Sequence, residues 1–270
     1  MVETIFKRIE AGDFFLIAGP CVIESESLCL KVAEHVARLT SKWDVPFIFK
    51  ASYAKANRLS KDSYTGPGID EGLKVLEKVR REFGLPVLTD IHETAEISDA
   101  AAVVDVLQIP AFLCRQTELV AQAGATGRWV NIKKGQFLAP EDMACIAEKA
   151  SSRKVMLTER GTTFGYRNLV VDFRSFPIMR KTGFPVIFDV THSLQLPGAG
   201  KGVSGGQPEF VIPLAKAAMA IGINGLFVET HPDPARAKSD AGAMLPLKQM
   251  ESLLEAIMPI YEANRSHAKN

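Results

Sequence analysis

Along the chain, short unbroken apolar runs alternate with longer stretches in which apolar residues recur every three or four positions. The runs are FFLIAG (14–19), PFIFKA (46–51), PVLTD (86–90), VDVLQI (104–109), WVNIK (129–133), VMLTE (155–159), PVIFDV (185–190) and GLFVE (225–229). Runs this short, rich in β-branched and aromatic residues and without strict alternation, predict strands buried on both faces. After the first run, a serine-rich cap opens a helix with Leu28, Val32, Val36 and Leu39 on one face. A helix capped near Asp70 turns Leu73, Leu76, Val79 and Phe83 inward and stops at Gly84. The fifth helix opens on Pro140, Glu141 and Asp142, which suit the positive end of a helix dipole. The last begins near Pro246 and carries Leu253, Leu254, Ile257 and Ile260.

Eight strand–helix units in 270 residues predict an α/β protein, a (β/α)8 TIM barrel forming a single domain over 1–270. The first dozen residues are expected to close the barrel bottom. A doubly wound open sheet is the competing architecture. Composition removes several function classes: 32 Lys and Arg against 31 Asp and Glu leave a net charge of +1, so no global field draws in nucleic acid or an anionic membrane. No apolar run approaches the ~20 residues that span a bilayer, and the opening MVETIFKRIEAGDFF lacks the apolar core of a signal peptide. Four unpaired-looking cysteines in a chain this long do not make a disulfide framework, and a reducing cytoplasm is the expected compartment.

In a barrel the chemistry lies where strands end. Reading those ends gives Cys21, Lys50, Asp90 with His92, Gln108 with Arg115, Lys133, Glu159 with Arg160, Asp189 with His192, and Glu229 with His231. Each alone has a bland reading, a solvated charge or a satisfied core histidine. Together, Lys50, Lys55, Arg58, Arg115, Lys133 and Arg160 at one rim of a near-neutral protein call for more than one phosphate or carboxylate. A second constellation, Cys21, His192, Glu229 and Asp240, converges from strands one, seven and eight if the barrel closes. Thiolate, imidazole and carboxylates suit a divalent ion such as Fe(II), Zn, Mn or Co, although Cys21 also reads as a buried inert thiol, like Cys29 and Cys145. Gly200, Gly202 and Gly205 spell GxGxxG, with Glu229 at a plausible ribose distance. A dinucleotide fingerprint starts at a strand end, however, and here THSLQLPGA intervenes. A mobile lid over Gly198 to Gly206, disordered without ligand, is the expectation.

The blocks LIAGPCVIES, FKASYAKANR, TDIHE, QIPAFLCRQT, VNIKKGQFLAP, LTERGTTFGYRNLVVDFRS, DVTHSLQ and VETHPDP closely resemble the 3-deoxy-D-manno-octulosonate 8-phosphate synthase family, from about Leu16 to the final helix. The resemblance implies condensation of phosphoenolpyruvate with D-arabinose 5-phosphate, releasing phosphate, in lipopolysaccharide synthesis by a barrel assembled as a homotetramer. It implies that Lys50, Lys55, Gln108, Ala111, Lys133 and Arg160 form the phosphoenolpyruvate pocket. Asn57, Arg58 and Asp90 would hold the pentose phosphate, and Arg115 would reach the sugar phosphate of a neighbouring subunit. Cys21 in the GPC motif, where a metal-independent class carries Asn, implies the metal-dependent class, with His192, Glu229 and Asp240 completing the set. Cys21, His192, Lys133 and Asp90 are then the residues expected to carry catalysis. One departure is KANRLS where many relatives read KANRSS: Leu59 lacks a serine hydroxyl, which implies a loss of ~1 kcal/mol or about fivefold in phosphate affinity unless Ser60 compensates or the aldose preference differs. The nearest rival is a related barrel using erythrose 4-phosphate, 3-deoxy-D-arabino-heptulosonate 7-phosphate synthase. Its counterpart loop typically reads KPRTS, against Asn57 here. A non-catalytic barrel binding phosphate metabolites and a metal-assisted hydrolase are more distant rivals.

Overall fold

The computed structural model describes residues 1–58, 61–198 and 205–267. Eight strands form one closed parallel sheet: β1 (Phe15–Gly19), β2 (Phe47–Lys50), β3 (Val87–Asp90), β4 (Val106–Ile109), β5 (Trp129–Lys133), β6 (Val155–Glu159), β7 (Val186–Asp189) and β8 (Gly225–His231). Consecutive strands pair in parallel, and β8 returns to β1 with Phe15 opposite Gly225 and Gly19 opposite Glu229. The barrel expected from the spacing is therefore present, and the open sheet is excluded by that closure.

Nine helices wrap or cap the barrel among the described residues: α1 (Val2–Glu10), α2 (Glu26–Lys42), α3 (Ile69–Phe83), α4 (Ile97–Val103), α5 (Thr117–Ala125), α6 (Met143–Lys149), α7 (Ser175–Arg180), α8 (Val211–Ile221) and α9 (Met250–His267). None of them is long and apolar enough to cross a membrane. The serine cap of α2 is Ser25, whose hydroxyl accepts from the Leu28 N–H at 3.2 Å. Three helix starts differ from the sequence reading. Helix α3 starts after Gly68, whose φ of +88° favours glycine, and Asp70 sits in the first turn instead of capping it. Helices α6 and α9 start later than expected because Pro140–Asp142 and Leu247–Gln249 form tight 3-10 turns first.

Each strand divides its residues between two cores. Phe15, Ile17, Ile48, Leu88, Val106, Met156, Ile187 and Phe227 fill the barrel interior. Their neighbours Leu16, Ala18, Phe47, Phe49, Leu107, Ile109, Leu157 and Leu226 pack with the helices. The alternation is the ordinary period of two, hidden in the sequence because both faces are apolar. At the bottom, α1 buries Ile9, and Phe6 stacks on Trp129 with ring centroids 5.5 Å apart and planes within 12°. The N-terminal extension thus covers the barrel floor, as expected. At the top, the same alternation brings Lys50, Asp90, Gln108, Lys133, Asp189 and Glu229 inward.

Candidate active site

The inward residues at the strand tops form one buried polar layer. Thr158 Oγ1 donates to Asn131 Oδ1 at 2.6 Å, Asn131 Nδ2 to Gln108 Oε1 at 2.8 Å, and Gln108 Nε2 to Asp90 Oδ1 at 2.6 Å. The Ser52 hydroxyl donates to the other Asp90 oxygen. Burial pushes the Asp90 carboxyl up, but Lys55, Lys50 and Lys133 outweigh it and hold it well below the usual range. Asp90 is a fixed anion in a satisfied network. Gly19 allows the layer to close: a Cβ there would lie 1.9 Å from the Lys50 carbonyl oxygen. The close approach brings Lys50 Nζ to the Cys21 carbonyl at 3.0 Å.

Above this layer opens a cavity of about 420 Å³, lined among others by Lys50, Lys55, Asn57, Arg58, Asp90, Ala111, Lys133, Arg160, His192 and Asp240. Three of its cations have carboxylate partners: Lys50 with Glu229 at 2.5 Å, Lys133 with Asp189 at 2.5 Å, and Lys55 with Asp90 at 3.5 Å. Among the described residues, Arg58 and Arg160 have none within 4.0 Å. Arg160 donates one Nη to Gln195 Oε1 at 2.7 Å while its other Nη is buried without a partner. Arg58 donates to the Ser239 hydroxyl and leaves Nε unsatisfied. Burial lowers the proton affinity of Lys133 and of Arg160, although a guanidinium stays charged. Each orphaned donor costs roughly 1–3 kcal/mol until something accepts from it, so the cavity favours anions.

Beside the cavity, Cys21, Glu229 and Asp240 place donor atoms within 4.8 Å of one another, a set that could hold a metal ion. Cys21 Sγ lies 3.0 Å from Asp240 Oδ2 and 2.8 Å from Ser239 Oγ. His192 turns Nε2 toward the set, 3.4 Å from Glu229 Oε2 and 4.0 Å from Asp240 Oδ2. Its Nδ1 is held by Asp189 Oδ2 at 2.6 Å, the outer-shell contact that orients ligating imidazoles. Burial, then Asp240 and Glu229, push the Cys21 thiol well up, whereas His192 and Lys50 overcome burial and hold Glu229 at about 2. A thiol, an imidazole and two carboxylates crowded on one point fit a divalent cation better than they fit each other.

Two further pairs support the rim. Lys134, the outward neighbour of Lys133, is fully buried and donates to Leu138 O at 3.2 Å and Thr162 Oγ1 at 3.0 Å, with Glu159 at 3.5 Å. It ties the loop after β5 to the short hairpin Thr162–Thr163 with Leu169–Val170 after β6. Behind β3, Glu96 Oε2 accepts from the His92 N–H and the Tyr53 hydroxyl, both at 2.7 Å. Burial pushes Glu96 up, but the His92 imidazole, then the His92 N–H and the Tyr53 hydroxyl, prevail and bring it down to about 2. A folded pKa below the unfolded value of ~4.3 contributes stability above the unfolded value and loses it as pH falls toward 2. Glu96→Gln should therefore flatten the pH dependence of the unfolding free energy between about pH 4.5 and 2, measured by urea denaturation across that range. An unchanged slope would show that Glu96 carries none of the acid sensitivity.

Most of the expected site residues meet here. Gln108 stands behind Asp90, and Cys21 and Glu229 join the cavity through Asp240 and Lys50. Arg115 does not: its side chain is exposed outside the cavity, and its carbonyl accepts from Lys149 Nζ at 3.1 Å. Leu59, Ser60, Gly200 and Gly202 lie outside the described residues, as does most of the expected lid. Gly205 and Gly206 pair antiparallel with Gln195–Leu196, with no helix opening on them. The sequence reading assigns no role to Ser52, Asn131, Gln195 or Ser239, and names Asp189 only as a rim residue. Their signal is position: Asn131 and Asp189 occupy inward places near strand tops, and Ser239 immediately precedes Asp240.

The chain matches the DAHP synthetase I family over residues 7–263. It is 57% identical over 257 residues to the 2-dehydro-3-deoxyphosphooctonate aldolase of Acidithiobacillus ferrooxidans, covering 93% of this chain and 92% of that protein. Proteins of the same name from Xanthomonas oryzae pv. oryzae and Xanthomonas euvesicatoria pv. vesicatoria are each 56% identical over 256 residues, 94% of this chain and 93% of theirs.

Proposed function

The chain belongs to the DAHP synthetase I family, and on that premise we propose that it condenses phosphoenolpyruvate with D-arabinose 5-phosphate and water to give 3-deoxy-D-manno-octulosonate 8-phosphate and inorganic phosphate. The observation that carries the proposal is that half-buried Arg58 and buried Arg160 line one cavity with no carboxylate partner among the described residues, each with one side-chain nitrogen left unsatisfied. The reaction brings two phosphates together, and the near relatives share the name of this activity.

In this reading C3 of phosphoenolpyruvate attacks the aldehyde carbon while water adds to C2. Phosphate then leaves by C–O cleavage. Arg160 and Lys133 hold the phosphate of phosphoenolpyruvate, and Lys50 and Lys55 its carboxylate, against Gln108 and Ala111. Asn57, Arg58 and Asp90 hold the pentose phosphate with its aldehyde toward C3. Lys133, its ammonium loosened by burial, is placed to pass a proton to the departing phosphate. Asp90, already satisfied and anionic, fixes Lys55 and Gln108 and is not a proton donor. Cys21, His192, Glu229 and Asp240 would hold a divalent ion of the Zn, Fe(II), Mn or Co type, supplying a Lewis-acid centre that polarises or positions the water or the aldehyde.

The same reading makes the protein a homotetramer. Phe112, Phe137, Phe164 and Tyr166, exposed on the loops that follow β4, β5 and β6, support a subunit contact at that rim. The test is consumption of phosphoenolpyruvate in the presence of arabinose 5-phosphate, compared with erythrose 4-phosphate and with no aldose. Loss that requires the pentose phosphate supports the octulosonate synthase. A preference for erythrose 4-phosphate would point to the heptulosonate synthase, and phosphate release without aldose to a hydrolase.

A further inference from the structure

Asp189 is a buried carboxylate that serves two different neighbours through one oxygen. It sits inward at the top of β7 with no exposed surface. Its Oδ2 lies 2.5 Å from Lys133 Nζ and 2.6 Å from His192 Nδ1, and Lys133 Nζ is itself 3.4 Å from that imidazole nitrogen. Its Oδ1 is pinned by Thr191 Oγ1 at 3.1 Å and the His192 N–H at 2.9 Å, so the carboxylate cannot turn to serve them separately. Among the described residues Lys133 has no other hydrogen-bond partner; its ammonium rests 3.9 Å from the Phe227 ring centroid.

We infer that Asp189 is a positioning residue that links anion binding at Lys133 to metal binding at His192, so that each tightens the other. The inference rests on the reading above, in which Lys133 holds a phosphate and His192 a metal ion. With the cavity empty of anion, Lys133 draws on the charge of Asp189 and stands beside the imidazole, making Nε2 a poorer donor to a cation. A phosphate on Lys133 neutralises the ammonium and leaves Oδ2 to the Nδ1–H of His192, which raises the basicity of Nε2. In the other direction, a cation on Nε2 strengthens the Nδ1–H bond to Asp189 and releases Lys133 toward the cavity. Linkage requires the two effects to be equal.

The experiment titrates metal-free protein with Co²⁺, followed by the thiolate–cobalt absorption, with and without saturating phosphoenolpyruvate and with no aldose present. Free cobalt is corrected for its complex with phosphoenolpyruvate. The reciprocal titration reads phosphoenolpyruvate binding by calorimetry on metal-free and cobalt-loaded protein. Each ligand should tighten the other by about fivefold or more, by the same factor. In Asp189→Asn that factor should fall toward one while cobalt still binds, the remainder reflecting the contact of Lys50 with Glu229. Lys133→Gln, which removes the competing ammonium, should bind cobalt without phosphoenolpyruvate at nearly the affinity the native protein shows with it. Independent binding in the native protein, an unchanged factor in Asp189→Asn, or an unchanged cobalt affinity in Lys133→Gln would each overturn the linkage alone. Failure of cobalt to bind the native protein would overturn the metal reading and the linkage with it.

Discussion

Arg160→Met is expected to lower kcat/KM for phosphoenolpyruvate by about 10²–10³-fold, the loss seen when one preorganised donor to a developing anion is removed. Arg160 follows β6 and is 6% exposed. It has one Nη on Gln195 and the other without a partner. Such a donor costs the resting protein something and repays it only when an anion is in place. Methionine fills much of the same volume without charge, so the substitution tests the guanidinium and not the packing. Arg160→Lys should recover only part of the loss, because a single ammonium cannot reproduce the planar fork. Steady-state kinetics and thermal melts on both variants separate the outcomes. A drop of less than about tenfold in Arg160→Met would place the phosphate elsewhere. A collapse in melting temperature would make Arg160 a structural residue.

Removal of divalent metal should abolish turnover, and a divalent ion should restore it to the native chain but not to Cys21→Ala. Outer-shell substitutions already cost about 10–100-fold in metal affinity or activity, so loss of a ligand should cost at least as much. Cys21 contributes the soft donor of the set, and its removal leaves two carboxylates and an imidazole, a weaker and less selective site. The check is matched metal-replete and chelator-stripped samples, assayed for phosphoenolpyruvate loss and for bound metal by elemental analysis. Turnover indifferent to stripping would keep the synthase reading and demote the Cys21 set to a relic. Full restoration of Cys21→Ala would show that the thiol is dispensable.

Much of this architecture is legible in the amino-acid sequence. The eight strands are readable because each is a short apolar run between stronger punctuation, and their order alone implies that Cys21, His192 and Glu229 stand close together. Helix starts are less so: Pro140 and Pro246 mark turns that precede α6 and α9, and a 3-10 turn shares its capping signals with an α-helix. Strand β8 runs two residues beyond the apolar stretch, to His231, because Thr230 and His231 pair with Leu245–Pro246. Such a distant contact leaves no local trace. Within the site, residue type is informative where charge is concentrated, as at Lys50, Lys133 and Arg160. It is silent on which neighbours share a partner. Asp189 is one residue among 31 acidic ones until the barrel brings Lys133 and His192 to the same oxygen. Arg115 shows the reverse: a basic residue after a strand, in the right motif, whose side chain stays outside this chain's own cavity.

The inward–outward alternation of β5 constrains how this protein can change. Lys133 and Lys134 are adjacent and chemically identical, yet one faces the cavity and the other is buried behind the wall against Glu159. A single-residue deletion inside β5 would carry Lys134 into the place of Lys133 and Gly135 into the place of Lys134, keeping a lysine at the cavity but leaving none against Glu159. The loop after β5 would then lose the lysine that ties it to the hairpin after β6. Length variation in this lineage should therefore be confined to the loops beyond the strand tops, while the strands themselves vary only by substitution.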